Sequence, residues 1–144
     1  MSTQHMEPKW LIYVLAGTYW RIWGHPQNGI HCLRRALATV PQRFKDVVLT
    51  NLAGLLYKTG AIDEALLVMK DAIDVDDRDP DSNFFIANLY SAKGNISGAI
   101  HHYRQTLRML PDHPHALHYL LIPECHAKFN LENRDQETVQ VRVA

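Results

Sequence analysis

Between Asp79 and Pro111, apolar residues recur twice on a helical period. Phe84, Ala87, Leu89 and Tyr90 fall in the first run, and Ala99, Ile100, Tyr103, Leu107 and Leu110 in the second. Steps of three and four residues gather such positions on one face of an α-helix. Pro80, whose φ is already suited to a first turn, opens the first helix. Gly94 closes it, because glycine enters the left-handed C-cap conformation without a Cβ penalty. Pro111 closes the second. The pattern predicts a helix–turn–helix hairpin.

The hairpin repeats along the chain. Gly60, Ala65 and Ala53 precede Gly94, Ala99 and Ala87 by 34 positions each. A step of 70 positions carries Gly24 to Gly94, Leu33 to Tyr103 and Pro41 to Pro111. GIHCLRRALATVP from Gly29 matches AIHHYRQTLRMLP from Ala99 in size and polarity, with Ile, His, Arg, Leu and Pro in common. A period near 34 residues is the mark of a helical repeat array. Each hairpin leaves an apolar face that only a neighbouring hairpin can cover.

This pattern divides the chain into repeats at about 10–41, 46–77 and 80–111. The second helix is expected at about Gln27–Val40, and the middle hairpin spans about Asp46–Val75. Residues 112–122 form a capping helix. There Leu121 stands where the repeat calls for a small residue, and Pro123 is expected to break the helix. Residues 1–8 read as a disordered leader and 123–144 as a polar, mobile tail. The most apolar run, Trp10–Gly17, is too short to span a bilayer, and Lys9 alone is a weak basic start for a signal peptide. The acidic run from Asp74 to Asp81 precedes a helix start, where the helix dipole favours negative charge.

Taken together, these features resemble the tetratricopeptide repeat (TPR) superfamily from about Trp10 to Pro111. Gly17, Ala53 and Ala87 match its small residue midway along the first helix. Trp20 and Tyr90 match the aromatic three residues later, with Tyr57 one place on. Gly29, Ala65 and Ala99 match the small residue opening the second helix. Pro41 and Pro111 match the closing proline, which is Asp77 in the middle repeat. The resemblance implies an all-α, right-handed α-solenoid of three TPR helix–turn–helix repeats plus a C-terminal capping helix. It also implies a non-catalytic scaffold for protein–protein interaction. Within the family, Lys9–Leu37 and Phe44–Val68 are similar to the repeats of a larger cytoplasmic member tied to actin polymerisation and cilium formation. That similarity implies those roles, and a location in the cytoplasm at the cytoskeleton or cilium base. No residue here specifies actin.

Composition narrows the partners. The 144 residues are 47% hydrophobic and 21% charged, with 15 basic and 15 acidic side chains and a formal net charge of +0. Nucleic acid and anionic membranes reward a basic surface, so neither is expected as the main partner. Cys32 and Cys125 form neither a ligand pair nor a disulfide framework, which fits a reducing compartment.

Catalytic and metal motifs are lacking. No phosphate-cradling glycine loop, nucleophile elbow or metalloprotease helix occurs. No enzyme activity and no cofactor are expected. His113, His115, His118, Cys125 and His126 offer imidazole and thiolate, but no paired ligand motif joins them, and Pro114 and Pro123 disturb the helical frame. No metal site is assigned; a His-rich metal-binding or hydrolytic protein is the alternative from another class.

The expected functional surface is the concave groove lined by the first helix of each repeat, suited to an extended peptide or a helix. Its candidates are Leu11, Val14, Thr18 and Arg21; Val47, Thr50, Gly54 and Tyr57; and Asp81, Phe84, Asn88 and Ser91. A chaperone- or transport-type peptide adaptor is the rival within the fold. The family's carboxylate clamp of Lys, Asn and Arg would fall on Val14, Thr18, Asn51, Asp81 and Phe85. Only Asn51 fits, and Asp81 would repel a carboxylate. At the other end of the array, Trp10, Tyr13, Trp20 and Trp23 are expected to stand uncovered. A preceding repeat of a longer protein, a partner or a second copy should then dock on them.

Overall fold

A computed structural model describes residues 8–143, with side chains described for residues 8–135. The predicted leader, apart from Pro8, lies outside the described residues. Among the described residues the structure is all-helical, without a strand. It forms two units, Met1–Ser82 and Asn83–Ala144.

The first unit holds α1 (Lys9–Ile22), α2 (Pro26–Leu37), α3 (Lys45–Lys58) and α4 (Ile62–Val75), with a 3-10 turn at Gln42–Phe44. The boundary between units falls in the first turn of α5 (Pro80–Ala92). The second unit continues through α6 (Ile96–Met109) to α7 (Ala116–Val143). The extra residues between the first two hairpins, 38–44, contain that 3-10 turn. The acidic run before α5 is accounted for locally: an Asp79 carboxylate oxygen accepts the Ser82 backbone N–H at 3.0 Å and caps the helix, and Asp76 accepts the Arg78 N–H.

The three hairpin turns are built alike. Gly24, Gly60 and Gly94 have φ of 76°, 81° and 79°, where a side chain would clash with the backbone. The next residue then donates its N–H five positions back: His25 to Trp20 O, Ala61 to Leu56 O, and Asn95 to Tyr90 O, at 2.9, 3.0 and 2.9 Å. This is a Schellman closure, and it uses carbonyls that a helix end would otherwise leave without a donor.

Small residues set how closely the helices pack. A Cβ placed on Gly17 would lie 2.9 Å from Leu33 of α2. One on Gly29 would lie 2.6 Å from Leu55 of α3 and 3.1 Å from the Gly17 carbonyl of α1. Helix α2 is thus wedged between two neighbours, with Ile30, Leu33 and Ala36 buried and Arg34 and Arg35 exposed. Arg34 reaches Glu64 of α4 at 2.5 Å on the surface, a pair worth under about 1 kcal/mol. The core proper is Val48, Leu52, Ala53, Leu55 and Leu56 of α3 with Ala65, Met69 and Ala72 of α4. In the second unit Ala87, Ala99, Tyr103 and Leu120 form the buried centre, with Phe84, Tyr90, Ile100 and Leu107 packed around it.

Two expectations are corrected by the structure. The helix expected to stop at Pro123 instead runs from Ala116 to Val143, through residues read as a tail. Pro123 removes one N–H, but it sits on the buried stripe with Ala116 and Leu120, and the next residue, Glu124, pairs with Arg104 of α6 at 2.7 Å. Packing and pairing along α6 offset the lost bond. The uncovered face of α1 also differs. Trp10 stacks on Phe44 at 5.4 Å, Tyr13 lies under Arg35 at 5.8 Å, and Trp20 is half-buried. Only Trp23 of the four is exposed, and it joins Ile12, Leu15, Tyr19 and Ile22 on the outer face. The helical period separates the two sets: Trp10, Tyr13 and Trp20 share the side of Gly17, and Ile12, Leu15, Tyr19 and Ile22 lie opposite.

Two glycines test this account of packing. Gly29→Ala should cost about 1–3 kcal/mol, because its new methyl meets a side chain and a backbone oxygen. Gly54→Ala in α3, with open space at its Cβ position, should instead stabilise by up to about 1 kcal/mol. Urea unfolding of both variants reads the difference directly, and equal effects would contradict the wedge.

Candidate interaction surfaces

The groove candidates of the first unit occupy equivalent places on α1 and α3, two helices that also touch each other. Leu11, Val14 and Thr18 are half-buried and Arg21 is exposed. On α3, Val47 and Tyr57 are exposed, each at 43%, with Thr50 and Gly54 half-buried between them. Nothing lies within 4 Å of the Cβ position of Gly54, so the row has a notch at its middle. The face therefore carries the exposed Val47 and Tyr57 with open space at Gly54 between them.

Two of its polar groups bond to their own helix. The Thr18 hydroxyl donates to the Val14 carbonyl at 3.2 Å. Asn51, the one residue that suits a carboxylate clamp, donates its amide to the Val47 carbonyl at 2.8 Å. Recognition on this face would accordingly rest on shape and apolar contact, with Arg21 and Lys58 as exposed cations at its ends.

On α5 the four candidates divide. Asp81 and Ser91 are exposed. Phe84 is turned into the unit, with ring centroids 4.7 Å from His113, 5.4 Å from Tyr119 and 5.7 Å from Tyr103. Asn88 accepts the Tyr103 hydroxyl at 2.6 Å. Phe84 and Asn88 thus hold the second unit together. The same period that predicted a groove position also fits a contact with the helix that follows, and the sequence alone does not separate the two.

Sequence reasoning did not find the role of His113. Its buried ring accepts the Ala116 backbone N–H at Nδ1 (3.1 Å), with the His115 N–H at 3.3 Å. The imidazole therefore caps α7 and carries its proton on Nε2. Histidine is not a usual N-cap, so no capping signature marked it. His102 is likewise structural: it stacks on Tyr90 at 5.4 Å and bonds Asn83 at 3.0 Å. Among the described residues no group of three His, Cys, Asp or Glu converges to hold a metal. Both cysteines are free. Among the described residues no helix is long and apolar enough to cross a membrane.

Paired helices closed by Schellman glycines, with small residues at their contacts, define the chain as a TPR protein of the α-solenoid class. That class consists of scaffolds for protein–protein interaction, typically non-catalytic. The chain resembles tetratricopeptide repeat protein 17, with 36% identity to the human protein over 118 residues, 82% of this chain and 10% of that one. The zebrafish (Danio rerio) protein of the same name is 31% identical over 130 residues, 90% of this chain. The chain thus spans about a tenth of the length of these relatives. No protein-family model matches.

Solved structures show the same fold. The first TPR of Spaghetti (RPAP3), bound to the HSP90 peptide SRMEEVD, gives a TM-score of 0.78 at 17% identity, covering 87% of this chain and 98% of that one. A tetratricopeptide repeat protein from Parabacteroides merdae gives 0.79 at 20% identity, covering 85% and 48%.

Replacing His113 by Ala should lower stability by about 2 kcal/mol, joining a lost cap to a vacated buried site. Amide hydrogen exchange is expected to quicken first at Ala116 and its neighbours; unchanged exchange there would remove the cap from His113.

Proposed function

We propose that the chain acts as a non-catalytic interaction module whose α1 and α3 faces seat a partner peptide or helix, within a scaffold that serves actin filament polymerisation and cilium organisation in the cytoplasm. The observation that carries the binding face is the exposed pair Val47 and Tyr57 on either side of the open notch at Gly54. Exposed apolar side chains around a concavity are what an incoming anchor residue buries. The similarity to tetratricopeptide repeat protein 17 supports the cellular role. The neutral net charge favours a protein partner over nucleic acid.

The outer face of α1 supports a second contact. Ile12, Leu15, Tyr19, Ile22 and Trp23 are all more than half exposed, and an apolar stripe of this kind is a docking surface. Its occupant is a preceding repeat of a longer protein, a partner protein or a second copy of the chain.

Proximity labelling in ciliated cells tests the reading, with the wild-type chain and with Val14, Val47 and Tyr57 changed to Glu. Phe84 is left intact because it belongs to the core. Actin regulators or ciliary proteins should be enriched by the wild type and lost with the triple variant. Enrichment that survives it would move the contact to the outer face of α1, and no enrichment from the wild type would remove the cellular role.

A chaperone-tail adaptor makes a different prediction. With Asn51 engaged by its own helix and no cation at Val14, Thr18, Asp81 or Phe85, the clamp is missing. Calorimetry with the peptide SRMEEVD should detect no binding at micromolar concentrations, and micromolar affinity would restore the adaptor reading.

A further inference from the structure

Helix α7 carries two opposite stripes. Ala116, Leu120 and Pro123 are buried in the second unit. On the far side Leu121, Ile122 and Phe129 are 55%, 61% and 60% exposed, with Cys125 exposed between them. His118, Ile122, Cys125, Phe129 and Glu132 follow one another at steps of four, three, four and three, the spacing of a helix–helix seam.

The described chain does not cover this seam. Thirty-four positions after Gly94 stands Lys128, where each earlier hairpin has a turn glycine. The helix runs on through it to Val143, and among the described residues no second helix folds back on it as α2, α4 and α6 do.

The surface is complementary to itself. Leu121, Cys125 and Phe129, four apart, form a ridge. A groove of about 530 Å³ runs on the side of His118, Ile122 and His126, and one of about 360 Å³ on the side of Glu124, Lys128 and Glu132. Ridges of this kind pack into such grooves when two helices cross, and a two-fold axis lets both copies do so at once. An antiparallel pair centred on Cys125 sets Leu121 opposite Phe129 of the second copy. The same register sets His118 of each copy opposite Glu132 of the other, so an imidazole meets a carboxylate at both ends of the seam. The net charge of +0 adds little repulsion between copies. We propose that α7 is a self-association surface through which two copies of this chain pair antiparallel about Cys125.

Sedimentation of the full chain from 1 to 500 µM tests this, together with crosslinking by a short bismaleimide in a Cys32→Ser background. The proposal expects dimers and a Cys125–Cys125 product. His118→Glu should weaken the dimer at least tenfold by facing Glu132. Glu132→Lys in the same chain should restore affinity to within threefold. These side chains are 14 positions apart on one exposed helix face, so the rescue reports contact between copies, and circular dichroism confirms that each variant is folded. A monomer throughout the range would overturn the proposal. So would a dimer that ignores His118→Glu and dissociates on Trp23→Glu, which would place self-association on α1.

Discussion

The fold rests on how closely its helices can approach. Where Gly29 meets the Gly17 carbonyl and Leu55, α2 touches two neighbours at once, and there is no room for even one methyl group. Leu33 fills the space beside Gly17, and Ala36, Ala53, Ala65 and Ala72 are fully buried. Short separations let larger side chains interlock around the contact, which is the source of dense packing and its dispersion energy. The second unit meets the same constraint with Ala87 and Ala99 around Tyr103. Glycine turns with closely similar φ bring the helices into that arrangement each time.

With an interior made largely by apolar contact, some polar side chains on the first helices bond to the chain itself. Thr18 and Asn51 bond to carbonyls one turn back, and Asn88 receives the Tyr103 hydroxyl. A partner proposed for the α1 and α3 faces would meet Thr18 and Asn51 already bonded to their own helix. Its affinity would come from burying groups such as Val47 and Tyr57, and its specificity from the notch between them. This separates the chain from clamps that hold a carboxylate with fixed cations, although the backbone is similar to one bound to such a peptide.

The second unit shows the same residue types given different work. Of the histidines weighed as metal ligands, His113 caps a helix, and His115, His118 and His126 are exposed. His113 replaces the oxygen of a usual cap with an imidazole nitrogen and brings an aromatic face to Phe84. That contact draws Phe84 inward, away from any groove. A capping residue and a supposed binding residue thus turn out to be halves of one structural contact.

The hairpins, their turns and their small contact residues were legible in the sequence because they follow from local rules: a 3.6-residue period, glycine at positive φ, and a spacing of 34 positions between matching residues. The row Val47, Thr50, Gly54 and Tyr57 was legible for the same reason. Packing decided the rest. A period places Phe84 and Asn88 on one face of α5 but does not say whether solvent or another ring lies against it. Reading Trp10, Tyr13, Trp20 and Trp23 as one uncovered end misses that Trp10 is stacked on Phe44 while Trp23 faces water. Pro123 argues locally for a break, and only its burial beside Ala116 and Leu120 shows why α7 continues. Sequence determines which conformations are cheap for a segment, and tertiary contact determines which of its faces is covered.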